Sequence, residues 1–233
     1  MSSDLTPTRR GLHQIAVHVM ARRRSDVTGR FGLRPSPGGL ATPAFGDGDE
    51  LEVVRTSGRF LVLERGGDVR VAPITTLAAA AELVGVDLSA PLSVGADTPA
   101  QVPVDDPLAI DHGDAGVLAA WWAFGRTVID EVMATDPVPE SPTVQQVWPE
   151  HFDLGCSVGC DGTRLNLGAS PGDGYEPTPY LYVGPWSSER PGAPAYWNAP
   201  FGAVLRLSQI DHLTPAERRS HAVAFFTRGL ARF

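Results

Sequence analysis

Cys160-Asp161-Gly162-Thr163 sets an Asp-Gly pair between two alternating runs, and that pair constrains the fold more than any other feature of the chain. Asp-Gly is among the strongest short-range signals for a two-residue β-hairpin turn. Counting outward, Cys160 faces Thr163, Val158 faces Leu165, Cys156 faces Leu167 and Leu154 faces Ala169, with Phe152 continuing the same side. All of these can pack in a core, which makes the register self-consistent. The other side then sets Asp153 across from Ser170, Gly155 across from Gly168 and Ser157 across from Asn166. His151 falls one pleat beyond Asp153 if the strand extends that far. Glycine inside a strand marks the close approach of another group. The bare Gly155–Gly168 floor is therefore covered either by an aromatic ring of the protein or by a small ligand.

Half of the aromatic residues lie between Trp148 and Phe201, in under a quarter of the chain, together with all four tyrosines, both cysteines and both asparagines. Ligand sites are mostly apolar, with a few convergent polar groups. The candidate site is thus a ligand lying flat on the glycine floor, gripped by His151, Asp153, Asn166 and Ser170. Tyr180, Tyr182, Trp186 and Trp197 would form its walls or lid, with Asn198 in the same loop. The expected function is small-molecule binding in an aromatic-lined pocket over the 152–170 hairpin, with catalysis left open and no catalytic residue assigned. The alternative is a non-catalytic interaction protein, or a homodimer, that docks through the Trp186–Phe201 loop, because aromatic residues dominate interface hot spots.

Composition removes several mechanisms. Every basic residue is arginine, so a Schiff-base lysine, pyridoxal phosphate attachment and a Walker A loop are excluded. Net charge is −8, which argues against nucleic acid as a partner. Arg22-Arg23-Arg24 reads as the end of a helix, where cations meet the negative end of the dipole. No apolar run approaches the roughly 20 residues of a membrane span. Leu12–Met20 is broken by His13, Gln14 and His18, and Arg22–Arg24 follow it rather than precede it, so the expected location is the cytoplasm. Cys156 and Cys160 on one strand would lie about 13 Å apart, too far for a disulfide. They are expected to be buried, reduced and apolar in character. No metal site and no cofactor are expected.

Gly168-Ala169-Ser170-Pro171-Gly172 has the letters of a nucleophile elbow, but the residue after the serine is proline, which has no N–H for an oxyanion. His151-Phe152-Asp153 is a weak metal or acid–base motif and reads better as a structural contact. Asp47-Gly48-Asp49-Glu50 lacks the remaining spacing of an EF-hand and reads as a charged turn. Gly38-Gly39 and Gly46–Gly48 do not make a dinucleotide fingerprint.

Periodicity predicts helices over Arg10–Ala21, Thr75–Val84, Ala115–Met133 and Pro215–Ala231. His13 and His18 lie off the first helix's apolar stripe and read as surface or boundary residues. Glu50–Arg55, Arg59–Glu64 and Asp68–Ala72 read as an antiparallel meander turning at Thr56-Ser57-Gly58 and Gly66-Gly67. Gly29–Gly48 reads as short strands and turns, Gly85–Pro107 as a loop, and Asp136–Pro142 as a linker. The order predicts an α+β fold, with antiparallel sheets packed against a long central helix and terminal helices. The chain is read as one domain, or as an N-terminal helix and meander half (1–105) and an aromatic-rich sheet half (106–233).

Trp148-Pro149-Glu150-His151-Phe152-Asp153-Leu154, Asn166–Asp173, Pro179–Trp186 and Trp197–Gly202, with Thr28-Gly29-Arg30 and Thr42–Phe45 upstream, resemble an uncharacterised actinobacterial protein family of unknown function. The resemblance implies a bacterial protein and carries over no catalytic assignment.

Overall fold

A computed structural model describes residues 4–90, 92, 94–135 and 139–231. The fold is α+β, with antiparallel sheets and a 22-residue helix. The chain forms two compact units, Met1–Ala120 with Gln146–Phe152, and Trp121–Gln145 with Asp153–Phe233.

The first unit opens on a continuous helical run: α1 (Thr6–Ile15), a π-helical segment (Ala16–Ala21) and α2 (Arg22–Thr28). The expected helix Arg10–Ala21 is too short at both ends. The start signal is Asp4, whose carboxylate accepts from the Thr6 N–H, followed by Pro7 in the first turn. The stop is Gly29 in the left-handed conformation at φ 68°. Arg22–Arg24 do not end the helix. Arg22 is buried and donates to the Ala90 carbonyl, Arg23 grips the Glu52 carboxylate, and Arg24 donates to the Gly32 carbonyl. His18 is buried, not at the surface, because the whole π-helical segment lies in the core.

Five antiparallel strands follow in sequential order: β1 (Arg34–Ser36), β2 (Gly39–Ala41), β3 (Glu52–Ser57), β4 (Phe60–Arg65) and β5 (Asp68–Pro73). The meander turns at Gly58-Arg59 and Gly66-Gly67, with positive φ at all three glycines. Asp47–Glu50 forms a 3-10 turn over Gly48–Glu50 that leads into β3. Thr76 caps α3 (Leu77–Val84) by accepting from the Ala79 N–H, and Gly85 ends it. Leu61, Leu63 and Val54 on one sheet face are buried, as are Leu77, Ala80 and Val84 of α3 and the π-helical segment.

Helix α4 (His112–Met133) begins in the first unit, where Asp111 accepts from the Asp114 N–H, and continues into the second. Strand β6 (Gln146–Trp148) belongs to the first unit, where Val147 bridges to Leu33. In the second unit β7 (Asp153–Val158), β8 (Leu165–Ser170), β9 (Tyr180–Pro185) and β10 (Ala203–Arg206) lie side by side, each antiparallel to the next. The hairpin register is as expected from Val158↔Leu165 to Leu154↔Ala169. Its apolar face receives α4, with Gly125 set against Leu154 and Ala169, and α5 (Pro215–Leu230), with Gly229 set against Val183. A Thr214–Glu217 capping box starts α5.

Three readings of the hairpin need correction. Cys160 is exposed rather than core: β7 ends at Val158, Gly159 takes φ 88° in the turn that follows, and the Cys160 thiol donates to the Glu140 carboxylate. Phe152 does not continue the strand: it sits in a turn at φ 60°, buried, with its ring stacked on His13 at 4.7 Å. His151 lies in the same turn, so it does not extend the polar face of β7. The linker Asp136–Pro142 lies partly outside the described residues.

Candidate functional site

The alternation of β7–β10 gathers one face of the second unit's sheet. Asp153, Ser170, Tyr180 and Arg206 lie along its first row; Gly155, Gly168, Tyr182 and Val204 along the next; Ser157, Asn166 and Gly184 along the third. The cross-strand pair Gly168↔Tyr182 decides what covers the glycine floor. A Cβ built on Gly168 falls on the Tyr182 ring, so the ring lies directly on the glycine. The Tyr182 hydroxyl donates to Asp153 Oδ2, and Asp153 is only 7% exposed.

A second phenol repeats the arrangement. Tyr180 donates to Asp173 Oδ2 at 2.5 Å. Asp173 Oδ1 also accepts from the Tyr175 and Glu176 N–H groups, forming an Asx turn that presents Tyr175. Tyr175 meets Tyr180 edge-on at 6.2 Å and Phe201 at 5.1 Å, and Phe201 meets Tyr182 at 6.4 Å. A tilted Tyr180–Tyr182 contact at 6.3 Å closes the four rings into one cluster. Its rim is open, since Tyr175 is 39% and Phe201 37% exposed. Beside it, Arg206 pairs with Glu176 at 2.6 Å.

The electrostatics make these phenols donors. Burial raises the Tyr182 phenol well above its ordinary value, and the Asp153 charge adds to it. Burial, followed by the Asp173 hydrogen bond, raises Tyr180 likewise. Both are neutral at pH 7 and cannot act as phenolate nucleophiles. Burial pushes the Cys156 thiol up to about 12, which removes it as a nucleophile. Ser170 is buried, accepts from the Gly172 N–H, and is followed by an irregular segment rather than a helix.

Of the residues singled out in the sequence, Asp153, Asn166, Ser170, Tyr180 and Tyr182 share this face. Trp186 lies at its border, with Nε1 donating to Asn166 Oδ1 at 2.8 Å and the Arg164 guanidinium 5.2 Å from its ring centre. Trp197 and Asn198 organise their own loop: Trp197 donates to the Pro191 carbonyl, and the Asn198 amide pairs with both backbone groups of Val204. His151 belongs to the first unit and stands 3.7 Å from Asp97. Tyr175, Phe201, Asp173 and Arg206 complete the cluster and were missed in the sequence. The Asp173-Gly174-Tyr175-Glu176 turn was the signal for Asp173 and Tyr175. Among the described residues no group of three or more His, Cys, Asp or Glu side chains is placed to hold a metal ion, and no helix is long and apolar enough to cross a membrane. Comparison with protein-family models, curated proteins and solved structures found no match.

Proposed function

We propose that this protein binds a small organic molecule on the four-ring face of its second unit. One observation carries the reading: Tyr182 lies on Gly168 with its hydroxyl on buried Asp153, while Tyr175 and Phe201 leave an open aromatic rim above it. A flat or cationic group stacked on that rim gains ring contact, and the neighbouring Asp173 and Asp153 carboxylates favour positive charge. Neutral phenols, a protonated thiol and a serine followed by proline favour binding over catalysis. The protein is read as cytoplasmic and bacterial, and its two free cysteines suit a reducing compartment.

Tetramethylammonium and indole serve as probes of the two chemistries. In NMR titrations, at least one of them should shift the ring resonances of Tyr175 and Phe201, and the double variant Tyr175→Ala/Phe201→Ala should lose the response. Ring resonances unmoved by both probes would sink the reading.

A second reading rests on Trp186, 64% exposed yet held by Asn166 and Arg164. An exposed, fixed indole suits a protein partner. Under that reading Trp186→Ala lowers the mass of a complex recovered from cells and leaves the probe response unchanged.

A further inference from the structure

Strand β5 is the edge of the first unit's sheet and, among the described residues, its backbone pairs with β4 alone. Arg65 and Asp68 flank the two-residue Gly66-Gly67 turn and exchange both hydrogen bonds across it. The alternation then turns the backbone groups of Arg70 and Ala72 toward β4 and those of Val69 and Val71 outward. The Ile74 N–H, donating to the Arg59 carbonyl at 2.9 Å, keeps the same phase. Proteins usually blunt such edges with lysine, proline, a bulge or a covering element. This strand pairs with β4 along all six residues without a bulge, and its one proline, Pro73, stands at the far end. Val69 and Val71 are 61% and 59% exposed. Among the described residues Asp68 and Arg70 make no ion pair and no side-chain hydrogen bond.

We infer that β5 pairs antiparallel with β5 of a second copy of this chain, about a two-fold axis through Val69. The two charges select that register. An axis at Arg70 sets two guanidiniums opposite each other at a close pair, which is repulsive. An axis at Val71 sets Val69 opposite Pro73 of the other copy, which has no N–H to give. An axis at Val69 lets the two Val69 residues exchange both hydrogen bonds and sets Asp68 opposite Arg70 twice. Those charge pairs fall at the non-hydrogen-bonded positions, where side chains approach most closely. The surface is self-complementary, as a two-fold contact requires. It is a short contact, so association depends on concentration.

Sedimentation equilibrium across a concentration series tests this. The wild-type mass should rise from one chain toward two. Asp68→Arg and Arg70→Asp should each remain single copies, because each sets like charges opposite. Their equimolar mixture should recover the dimer, since a basic edge then meets an acidic one; recovery also shows that both variants are folded. Val69→Pro removes the outward N–H without touching the β4 ladder and should abolish association. A wild-type chain that stays single across the series overturns the inference. So does a dimer that all three variants leave intact, or a mixture that does not associate while the wild type does.

Discussion

Single residues decide how the aromatic face is filled. Gly168 is required because the Tyr182 ring occupies the space of a side chain. Gly168→Ala should therefore push the ring off the sheet and cost about 1–3 kcal/mol, as overpacking does. It should also bring the Tyr182 phenol back toward the ordinary tyrosine value of 10.0, read from the absorbance of tyrosinate against pH. The sequence pointed to the glycine pair and to a covering group, but it could not say which ring, since that depends on β9 pairing with β8 in one register. In the first unit, burial lowers His13 to about 4, against its ordinary 6.5. Its Nε2 lies 2.7 Å from the Pro149 carbonyl, an acceptor only, so that nitrogen carries the proton of the neutral ring. A depressed folded value means stability is full above pH 6.5 and is lost as pH falls through the window from 6.5 to 4. The loss is at most about 3 to 4 kcal/mol over that window. Denaturation midpoints at pH 7 and pH 4.5 check it: His13→Phe should reduce the difference, with buried His18, also lowered by burial, supplying part of what remains.

At the scale of elements, local signals were legible where they act locally. The meander, α3, α4 and the hairpin register all follow from turn residues and periodicity. The first helix was misread because what carries it past Ala21 lies far away in the chain. Arg23 is satisfied by Glu52 on β3, where Arg65 of β4 also arrives at 2.7 Å. Burial alone would raise the Glu52 carboxyl, but the hydrogen bonds and charges of Arg23 and Arg65 outweigh it and hold it below the ordinary value. This ties helix to sheet at a carboxylate only 2% exposed. Glu52→Gln strips two arginines of their buried counter-charge and should destabilise the first unit by about 3–5 kcal/mol, the usual cost of removing one partner of a buried pair. Urea unfolding followed by far-UV circular dichroism measures it. A change under about 1 kcal/mol would match an exposed pair and contradict the anchoring role.

At the scale of the molecule, the α+β class was legible because short strands, turn signals and one long periodic helix occur in an order that a parallel fold does not produce. The candidate site was legible as a face but not as a constellation. Asp153, Ser170, Asn166, Tyr180 and Tyr182 share a side of the sheet by strand counting, whereas His151 and Asn198 are assigned elsewhere by a turn and a loop contact with no periodic signature. Native mass spectrometry of the protein, equilibrated with a small-molecule extract of bacterial cells, tests the central claim most directly. The account predicts a one-to-one adduct on the wild-type chain that is lost on denaturation and absent from Tyr175→Ala/Phe201→Ala. A bare mass for the wild type, or the same adduct on both proteins, would contradict it.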